Sequence, residues 1–259
     1  MSAWWKVLVL AVVQALTEFL PVSSSGHLVL AKRILGLEAP GVILEVALHA
    51  GTLISILVYY RKRIARLLSD LVSGGAGGQR EILALAAGSL PALGFYLFFH
   101  DRVEAAFDRP ALAAALLGVT GIGLLTLRVV RAPDRKISVL RGVWIGVAQA
   151  LALLPGISRS GLTIAAGRHL GLAPRGAAEF SLLLAVPALL GATLLKACSL
   201  AAAELGDLTL GSLAAGTAVS ALVGYGAIAI LLRTLSTHRF WLFGFYCLAV
   251  GTAGLVLMR

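Results

Sequence analysis

The hydrophobic positions of this chain fall in long blocks that are separated by short polar and charged segments. An α-helix needs about 20 mainly apolar residues to cross a bilayer. Blocks of about this length predict six membrane-spanning helices, over residues 44–60, 82–99, 111–130, 177–196, 213–232 and 240–258. The pattern therefore predicts an all-α polytopic membrane protein.

Two further apolar stretches are broken by a polar turn. An apolar run that begins at residue 4 stops at Pro21, and a second short helix is predicted over 28–35. Each arm is too short to cross a bilayer, so residues 4–36 are predicted to form a re-entrant helical hairpin. Such backbone is tolerated at membrane depth only where protein buries it or water lines it. The stretch 142–172 predicts a second hairpin of the same kind.

The two hairpins are copies of one element. Residues 14–37 and 149–172 align without a gap, and 11 of the 24 aligned residues are identical. The first copy carries the carboxylate of Glu18 and the imidazole of His27, whereas the second carries the guanidinium of Arg159. Complementary groups on a duplicated element predict one composite site at a pseudo-twofold axis.

Composition and charge agree with a membrane protein. The 259 residues are 59% hydrophobic and 13% charged, against about 25% charged residues in soluble domains. The formal net charge is +10, but the basic residues stand in short runs between apolar segments. This distribution is typical of membrane loops and argues against nucleic-acid binding. The anionic partners that remain are membrane lipid headgroups and phosphate substrates.

The loop charges also predict a topology. Three loops are basic and are assigned to the cytoplasm: 61–80, 128–141 and 233–239. The other three loops are then external: 37–43, 100–110 and 199–210. Each half of the single membrane domain has one hairpin and three spans, an odd number, so the halves are predicted to be inverted repeats. The repeats cover about residues 1–135 and 136–259.

Polar pairs at helical spacing lie in and near hairpin one. Gln14 and Glu18 are spaced i, i+4 and share a helix face. A carboxylate in a bilayer is costly and usually faces a cavity or a partner. Glu18 is therefore predicted to be a metal ligand or a general acid/base, or else a member of a helix-packing ion pair. Glu45 and His49 have the same spacing and line the external mouth of the cavity, or form a polar pair at the interface.

The turn of hairpin one contains Ser23, Ser24 and Ser25, followed by His27. Serines alone predict a helix N-cap and turn. A serine beside a base can instead act as a nucleophile, and histidine titrates near neutral pH. With Glu18 close in sequence, this cluster predicts a catalytic site that uses a hydroxyl and an imidazole.

Hairpin two predicts an anion site. Arg159 is the one charged residue between positions 142 and 167, and its planar fork suits phosphate. Ser158, Ser160 and Thr163 lie around it, at the start of a helix whose N-terminus favours anions. The alternative is a salt bridge from Arg159 to Glu18 across the pseudo-twofold axis. The two interpretations are compatible, because such a pair could be the resting state of a phosphate site.

Two long motifs carry a resemblance to a known family. The segments QALTEFLPVSSSGH and LPGISRSGLT, with EVALHAGTL at 45–53, resemble the undecaprenyl-diphosphate phosphatases of the bacitracin-resistance type. The resemblance implies a multi-pass enzyme of the bacterial inner membrane that removes the terminal phosphate of a C55 polyprenyl diphosphate. It returns the lipid carrier to peptidoglycan synthesis, depends on a divalent cation (Mg²⁺ or Ca²⁺) and contributes to bacitracin resistance. With our topology, the active site faces the periplasm.

The resemblance also implies roles for individual residues. The catalytic set is Glu18, Ser23, Ser24, His27 and Arg159. The phosphate-binding set is Arg159 with Ser25, Ser158, Ser160 and Thr163. The cation ligands are Glu18 and Gln14. Position 14 is Glu or Gln in the family, so a second acidic ligand has to come from elsewhere, such as Glu45 or the diphosphate of the substrate.

Two competing functions were weighed. Inverted repeats with broken helices are also the transporter pattern, so a transporter or flippase for polyprenyl phosphate is the alternative. Such a protein needs the same anion site but no nucleophile. The type-2 phosphatidic-acid phosphatases have a signature that requires histidine at position 165, which is Ala165 here, and that class is rejected. The sequence leaves the oligomeric state open.

Overall fold

The structure is a computed structural model that describes residues 4–35, 41–131, 133–199 and 208–257. These residues form helices joined by short connections, and the described ranges contain no strand. In chain order the helices are α1 (Trp4–Phe19), α2 (Ser24–Leu35), α3 (Gly41–Tyr59), α4 (Arg61–Ser73), α5 (Ala76–Phe107), α6 (Pro110–Leu125), α7 (Val139–Leu151), α8 (Arg159–His169), α9 (Pro174–Ser199), α10 (Leu210–Ser236) and α11 (Phe243–Leu257). Short 3₁₀ turns follow α6 at Thr126–Arg128 and precede α11 at Phe240–Leu242.

The all-helical membrane fold is confirmed. Within the described ranges, α5, α6 with its 3₁₀ turn, α9 and α10 are long and apolar enough to cross a membrane. A fifth span is possible if α3 and α4, which meet at a bend of 71°, are counted together. Every predicted span coincides with a helix, and both predicted hairpins are pairs of short helices, α1 with α2 and α7 with α8.

Several predicted boundaries are wrong. The basic segment after residue 60 is the helix α4, because its charged residues leave apolar positions free to form one face. That helix buries Leu67 and exposes Leu68 and Val72. The mixed-charge loop at 100–110 is mostly helical too, since α5 continues to Phe107. The predicted loops at 37–43 and 199–210 lie largely outside the described residues.

The helix after the first hairpin turn also starts earlier than predicted. It begins at Ser24 and not at residue 28, so the serines form its first turn. In hairpin two, α8 begins at Arg159, which places Thr163 on the second turn of that helix. The earlier start of α2 moves the serines from a loop onto a helix, where the directions of their side chains are fixed.

Glycines bring the helix backbones into direct contact. A Cβ atom added at Gly146 on α7 would lie 2.0 Å from the carbonyl oxygen of Gly88 on α5. A Cβ atom at Gly244 on α11 would lie 2.7 Å from the carbonyl oxygen of Gly121 on α6. Without a hydrophobic driving force between helices in lipid, such close packing of small residues stabilises the bundle.

We expect Gly146→Ala to destabilise the protein by about 3 kcal/mol, at the upper end of the usual cost of overpacking, because backbone and not a flexible side chain opposes the new methyl group. The matched control is Gly94→Ala on α5, where an added Cβ atom meets nothing within 4 Å. Thermal unfolding of both variants in detergent measures the difference. An apparent Tm for Gly146→Ala equal to that of the control contradicts the α5–α7 contact.

The hairpins pack on the opposite halves of the chain. Helix α1 lies against α10, and α7 lies against α5. The turn of hairpin one then meets the start of α8, where the Ser160 hydroxyl donates to the carbonyl oxygen of Leu20 at 3.2 Å. A Cβ atom on Gly161 would lie 3.1 Å from Cβ of Pro21, so only glycine allows this approach without displacement. The fold thus brings the two copies of the repeated element together.

Candidate active site

Helix α1 positions a buried carboxylate. Glu18 lies on the last turn of the helix and is 7% exposed, and Gln14, one turn earlier, is fully buried. Nε2 of Gln14 donates to Oε2 of Glu18 at 3.0 Å. Because the amide nitrogen makes this bond, the carbonyl oxygen of Gln14 is not used by it. That oxygen, Oε1, is buried and has no partner among the described residues.

The turn between α1 and α2 presents a serine hydroxyl to this carboxylate. Ser23 has a positive φ of 68°, which reverses the chain and places Ser24 at the start of α2. Oγ of Ser24 donates to Oε2 of Glu18 at 2.6 Å. Oγ of Ser23 lies 3.2 Å from Oγ of Ser25, and Ser25 Oγ also accepts a long bond from the Gly156 N–H at 3.4 Å. Ser24 is therefore the member of the triplet that contacts Glu18.

Hydroxyl groups organise the start of α8. Ser158 caps this helix by accepting from the Gly161 N–H at 3.2 Å. Its own N–H donates to Oγ1 of Thr120 at 3.0 Å, and Thr120 donates to the carbonyl oxygen of Gly156 at 3.1 Å. Gly156 has a φ of +92°, a conformation that favours glycine. These bonds hold Arg159 at the first position of the helix.

Further bonds tie the second turn of α8 to the bundle. Thr163 donates to the carbonyl oxygen of Arg159 at 2.7 Å, and its oxygen lies 2.6 Å from Oγ of Ser181 on α9. Ser160 is similarly engaged, since its oxygen lies 3.3 Å from Oγ of Ser158. The hydroxyls of hairpin two thus support the helix that carries the guanidinium.

Arg159 and Glu18 meet across the two hairpins. Nη2 of Arg159 lies 2.7 Å from Oε1 of Glu18, and the two side chains are 14% and 7% exposed. The salt bridge that the sequence left open as an alternative is therefore present. Nη1 of Arg159 is buried and has no hydrogen-bond partner among the described residues. A buried guanidinium with an unused N–H donor group is suited to bind an additional anion.

His49 faces the same carboxylate from α3. Its Nε2 lies 3.7 Å from Oε2 of Glu18, and its Nδ1 is 2.7 Å from the backbone carbonyl oxygen of Glu45. A carbonyl only accepts, so Nδ1 carries the proton and Nε2 is directed to Glu18. The sequence predicted either that this pair lines the external mouth of the cavity or that it forms a polar pair at the interface. In the structure, His49 lies beside Glu18, and the part of Glu45 that orients it is the backbone.

His27 is held by groups other than Ser24. Its Nδ1 lies 2.8 Å from the carbonyl oxygen of Ser23, and its Nε2 lies 2.7 Å from the hydroxyl of Tyr246 on α11. Both ring nitrogens are thus engaged. His27 and Ser24 are spaced i, i+3 on α2, which places them on one helix face.

Sequence reasoning missed Tyr246, Thr120 and Ser181. Each lies in an apolar segment that is predicted to be a span, and each contacts a residue of a hairpin. The available signal was the hydroxyl group itself, because a hydroxyl in an apolar helix needs a hydrogen-bond partner. The sequence does not identify that partner.

Few protein groups are available to hold a metal ion. The described residues contain no group of three or more His, Cys, Asp or Glu side chains with suitable geometry. The oxygens that fit a cation are the carboxylate of Glu18 and the unpartnered Oε1 of Gln14. Both are hard oxygen ligands of the kind that Mg²⁺ and Ca²⁺ prefer. Because Mg²⁺ is commonly bound through one or two protein oxygens together with substrate phosphates, this pair fits a cation shared with a diphosphate.

Comparisons with known proteins agree with the motifs. A family model described as bacitracin resistance protein BacA matches residues 7–253. The chain belongs to the BacA family. Three relatives named undecaprenyl-diphosphatase come from Salinibacter ruber (38% identical, over 98% of this chain and 99% of the relative), Desulfosudis oleivorans (40%, over 94% of each chain) and Geobacter metallireducens (40%, over 96% of each chain).

The BacA match includes both hairpins. Glu18 and Ser24 from the first copy and Arg159 from the second all lie within the matched residues. The three side chains that contact one another therefore lie in the part of the chain that is similar to its relatives.

Proposed function

We propose that this BacA-family protein dephosphorylates undecaprenyl diphosphate to undecaprenyl phosphate, as an undecaprenyl-diphosphatase. This activity recycles the lipid carrier for peptidoglycan synthesis and contributes to bacitracin resistance. The observation that carries the proposal is the contact of Arg159, Glu18 and Ser24, which joins an anion-binding guanidinium to a hydroxyl nucleophile. The names of the relatives supply the substrate class.

The first chemical step uses the ion pair. The terminal phosphate of the substrate binds Arg159 through the unused Nη1 and draws the guanidinium away from Glu18. Glu18 then accepts the proton of the Ser24 hydroxyl through Oε2, the oxygen that this hydroxyl already contacts at 2.6 Å, while Oε1 is released by Arg159. The Ser24 oxygen attacks the terminal phosphorus, the anhydride P–O bond breaks, and undecaprenyl phosphate leaves. Glu18 retains the proton of Ser24.

The second step regenerates the enzyme. His27, on the same face of α2 as Ser24, takes a proton from a water molecule. The water oxygen bonds to phosphorus, the Ser24–phosphorus bond breaks, and Glu18 returns its proton to the Ser24 oxygen. Inorganic phosphate takes the proton from His27 and leaves Arg159, after which Arg159 re-forms the pair with Glu18. Ser23 is less suited to attack, since it is 2% exposed and bonded to Ser25.

A divalent cation, Mg²⁺ or Ca²⁺, is proposed to bind with the diphosphate. Glu18 and Oε1 of Gln14 are the protein oxygens that would hold it, and the substrate supplies the remaining ligands. When bound, the cation neutralises negative charge that develops as the anhydride bond breaks. A neutral amide at position 14 leaves the site with one carboxylate, which favours a cation that arrives with the substrate.

Gln14→Leu is expected to raise the cation concentration that gives half-maximal activity by about tenfold, because it removes one oxygen ligand. Gln14→Glu is expected to lower that concentration by a similar factor, since it adds negative charge at the same place. Phosphate release is measured across a titration of Mg²⁺ and of Ca²⁺ at fixed substrate. The assignment of Gln14 fails if both variants need the same cation concentration as the wild type.

The finer architecture is also proposed. We infer six membrane-spanning helices and two re-entrant hairpins in an inverted-topology repeat. A shift of 135 residues relates the two sequence copies, and the reciprocal packing of α1 on α10 and of α7 on α5 supports a twofold relation. The basic loops support a cytoplasmic side, so hairpin one enters from the outside of the inner membrane. The active site then faces the periplasm.

Purified protein in detergent provides the decisive test. With undecaprenyl diphosphate and Mg²⁺, we expect release of inorganic phosphate and formation of undecaprenyl phosphate. A protein that releases no phosphate, yet moves undecaprenyl phosphate across the bilayer of reconstituted vesicles, is instead a transporter. The two outcomes separate the proposed enzyme from the alternative, which needs the anion site alone.

A further inference from the structure

Helix α11 contacts hairpin one at two consecutive residues. The Tyr246 hydroxyl lies 2.7 Å from Nε2 of His27, and the Cys247 thiol donates to the carbonyl oxygen of Pro21 at 3.3 Å. The rings of Tyr246 and His27 are stacked, with centroids 5.7 Å apart and an angle of 9° between their planes. The last span of the chain therefore covers the turn that carries the serines.

The hydrogen bonds define the tautomer of His27. The carbonyl oxygen of Ser23 can only accept, so the proton of the neutral ring is on Nδ1. Nε2 then accepts a hydrogen bond from the Tyr246 hydroxyl. A hydroxyl is both donor and acceptor, so after Nε2 gains a proton, the same tyrosine oxygen can accept from it. Tyr246 can therefore bond to His27 in both charge states, before and after Nε2 takes the proton from water.

We propose that Tyr246 is a positioning residue for His27, and this proposal rests on the proposed role of His27 as the base. The Ser23 carbonyl oxygen selects the tautomer that leaves Nε2 as the basic nitrogen, and Tyr246 fixes the plane of the ring through stacking and through its hydrogen bond to Nε2. A group that orients the catalytic histidine is a recurring part of hydrolase sites. Tyr246 lies outside both sequence motifs, and His27 is 219 positions away in the chain.

The placement of Tyr246 is built into the helix packing. Gly244, two residues earlier, lies in backbone contact with Gly121 on α6, as the 2.7 Å Cβ distance shows. Gly251, farther along α11, meets the carbonyl oxygen of Ala114 at 2.7 Å in the same way. These contacts fix the height and rotation of α11 against α6. The rotation that satisfies them also directs Tyr246 at His27.

Tyr246→Phe tests the proposal, because it keeps the ring stack and removes the hydroxyl. We expect kcat to fall by about 10- to 100-fold, as for other groups that orient a reactive histidine, with KM within about twofold of wild type. Tyr225→Phe on α10 is the matched control, since its ring packs against Tyr59 and lies away from His27. The control is expected to retain wild-type kcat.

A spectroscopic measurement tests the same contact without any turnover. Nitrogen-15 NMR of histidine-labelled protein resolves bare and protonated ring nitrogens, and the His27 signals among the five histidines are assigned by their loss in His27→Gln. In Tyr246→Phe we expect the Nε2 signal of His27 to shift, because this nitrogen loses its hydrogen-bond donor, while Nδ1 stays protonated on the Ser23 carbonyl oxygen. An unchanged Nε2 signal, or a kcat within twofold of wild type, overturns the proposal. If the wild type itself releases no phosphate, the proposed function fails, and the Nε2 signal still decides whether Tyr246 holds His27.

Discussion

Replacing Arg159 by alanine is expected to lower kcat/KM for undecaprenyl diphosphate by about 1,000-fold or more. The guanidinium is the buried cation that faces the hydroxyl and carboxylate of hairpin one, at 2.7 Å from Glu18. Removal of a single preorganised donor from a developing oxyanion typically costs 100- to 1,000-fold, and a charged fork contributes more than a neutral donor. Phosphate release by the purified variant measures the loss.

The conservative variant separates charge from geometry. Arg159→Lys keeps one positive charge but loses the planar fork, so its activity is expected to lie between those of wild type and Arg159→Ala. Arg66→Ala, at an exposed position on α4, is the control and is expected to behave as wild type. Activity of Arg159→Ala within tenfold of wild type contradicts the phosphate-binding role.

Stability has to be measured alongside activity, because the same substitution leaves Glu18 buried without its cation. Breaking a buried pair in this way typically costs about 3–5 kcal/mol. A second substitution, Glu18→Gln, removes the stranded charge, so the double variant is expected to recover much of the lost thermal stability. It is not expected to recover activity. Because Glu18 is also the proposed base, the double variant tests stability alone, and the activity of Arg159→Ala is compared with wild type at equal amounts of folded protein.

The meeting of Glu18 with Arg159 could be predicted from the sequence because the chain is duplicated. When two copies of one element differ at a few polar positions, the differences mark groups that complement one another near a shared axis. The structure shows this contact directly, at 2.7 Å. The positions of the predicted spans could likewise be predicted, because the length of a hydrophobic block can be counted directly along the sequence.

The contacts that the sequence did not reveal are those between non-equivalent helices. Tyr246 reaches His27 across 219 positions, and Thr120 supports the Ser158 turn across 38. The sequence around each residue contains no motif that identifies its partner. Whether the two residues meet depends on how their helices pack. The helix α4 was missed for a different reason. Its charges resemble a loop until its apolar residues are placed on one face.

The directions of the serine side chains in hairpin one depend on where α2 begins, and amino-acid composition does not determine that position. The sequence placed the serines in a loop before residue 28, where each could equally well reach His27. Because α2 begins at Ser24, this hydroxyl is directed at Glu18 instead. In the proposed mechanism, the carboxylate is therefore the base for the serine, and the imidazole takes a different proton.

Ser24→Ala is expected to lower kcat by about 10,000-fold, since it removes the proposed nucleophile and leaves the ion pair in place. Ser23→Ala and Ser25→Ala are expected to lose much less, about tenfold, because their hydroxyls bond to each other and not to Glu18. Ser89→Ala on α5, which loses a single bond to a backbone carbonyl, is the control outside the site and is expected to retain activity. Phosphate release by the four purified variants gives the order.

The order of activities among the serine variants leaves two possible nucleophiles, the Ser24 hydroxyl and water. Trapping a phosphorylated enzyme intermediate distinguishes them. When substrate labelled in its terminal phosphate is quenched in acid within one turnover, the label is expected on Ser24 of the wild type, and on no residue of Ser24→Ala. If water attacks instead, Ser24 only orients it through Glu18, no labelled serine forms, and Ser24→Ala keeps a substantial fraction of the wild-type rate. The short Ser24–Glu18 bond of 2.6 Å favours the first outcome, because it aligns the proton of Ser24 with its acceptor before substrate arrives.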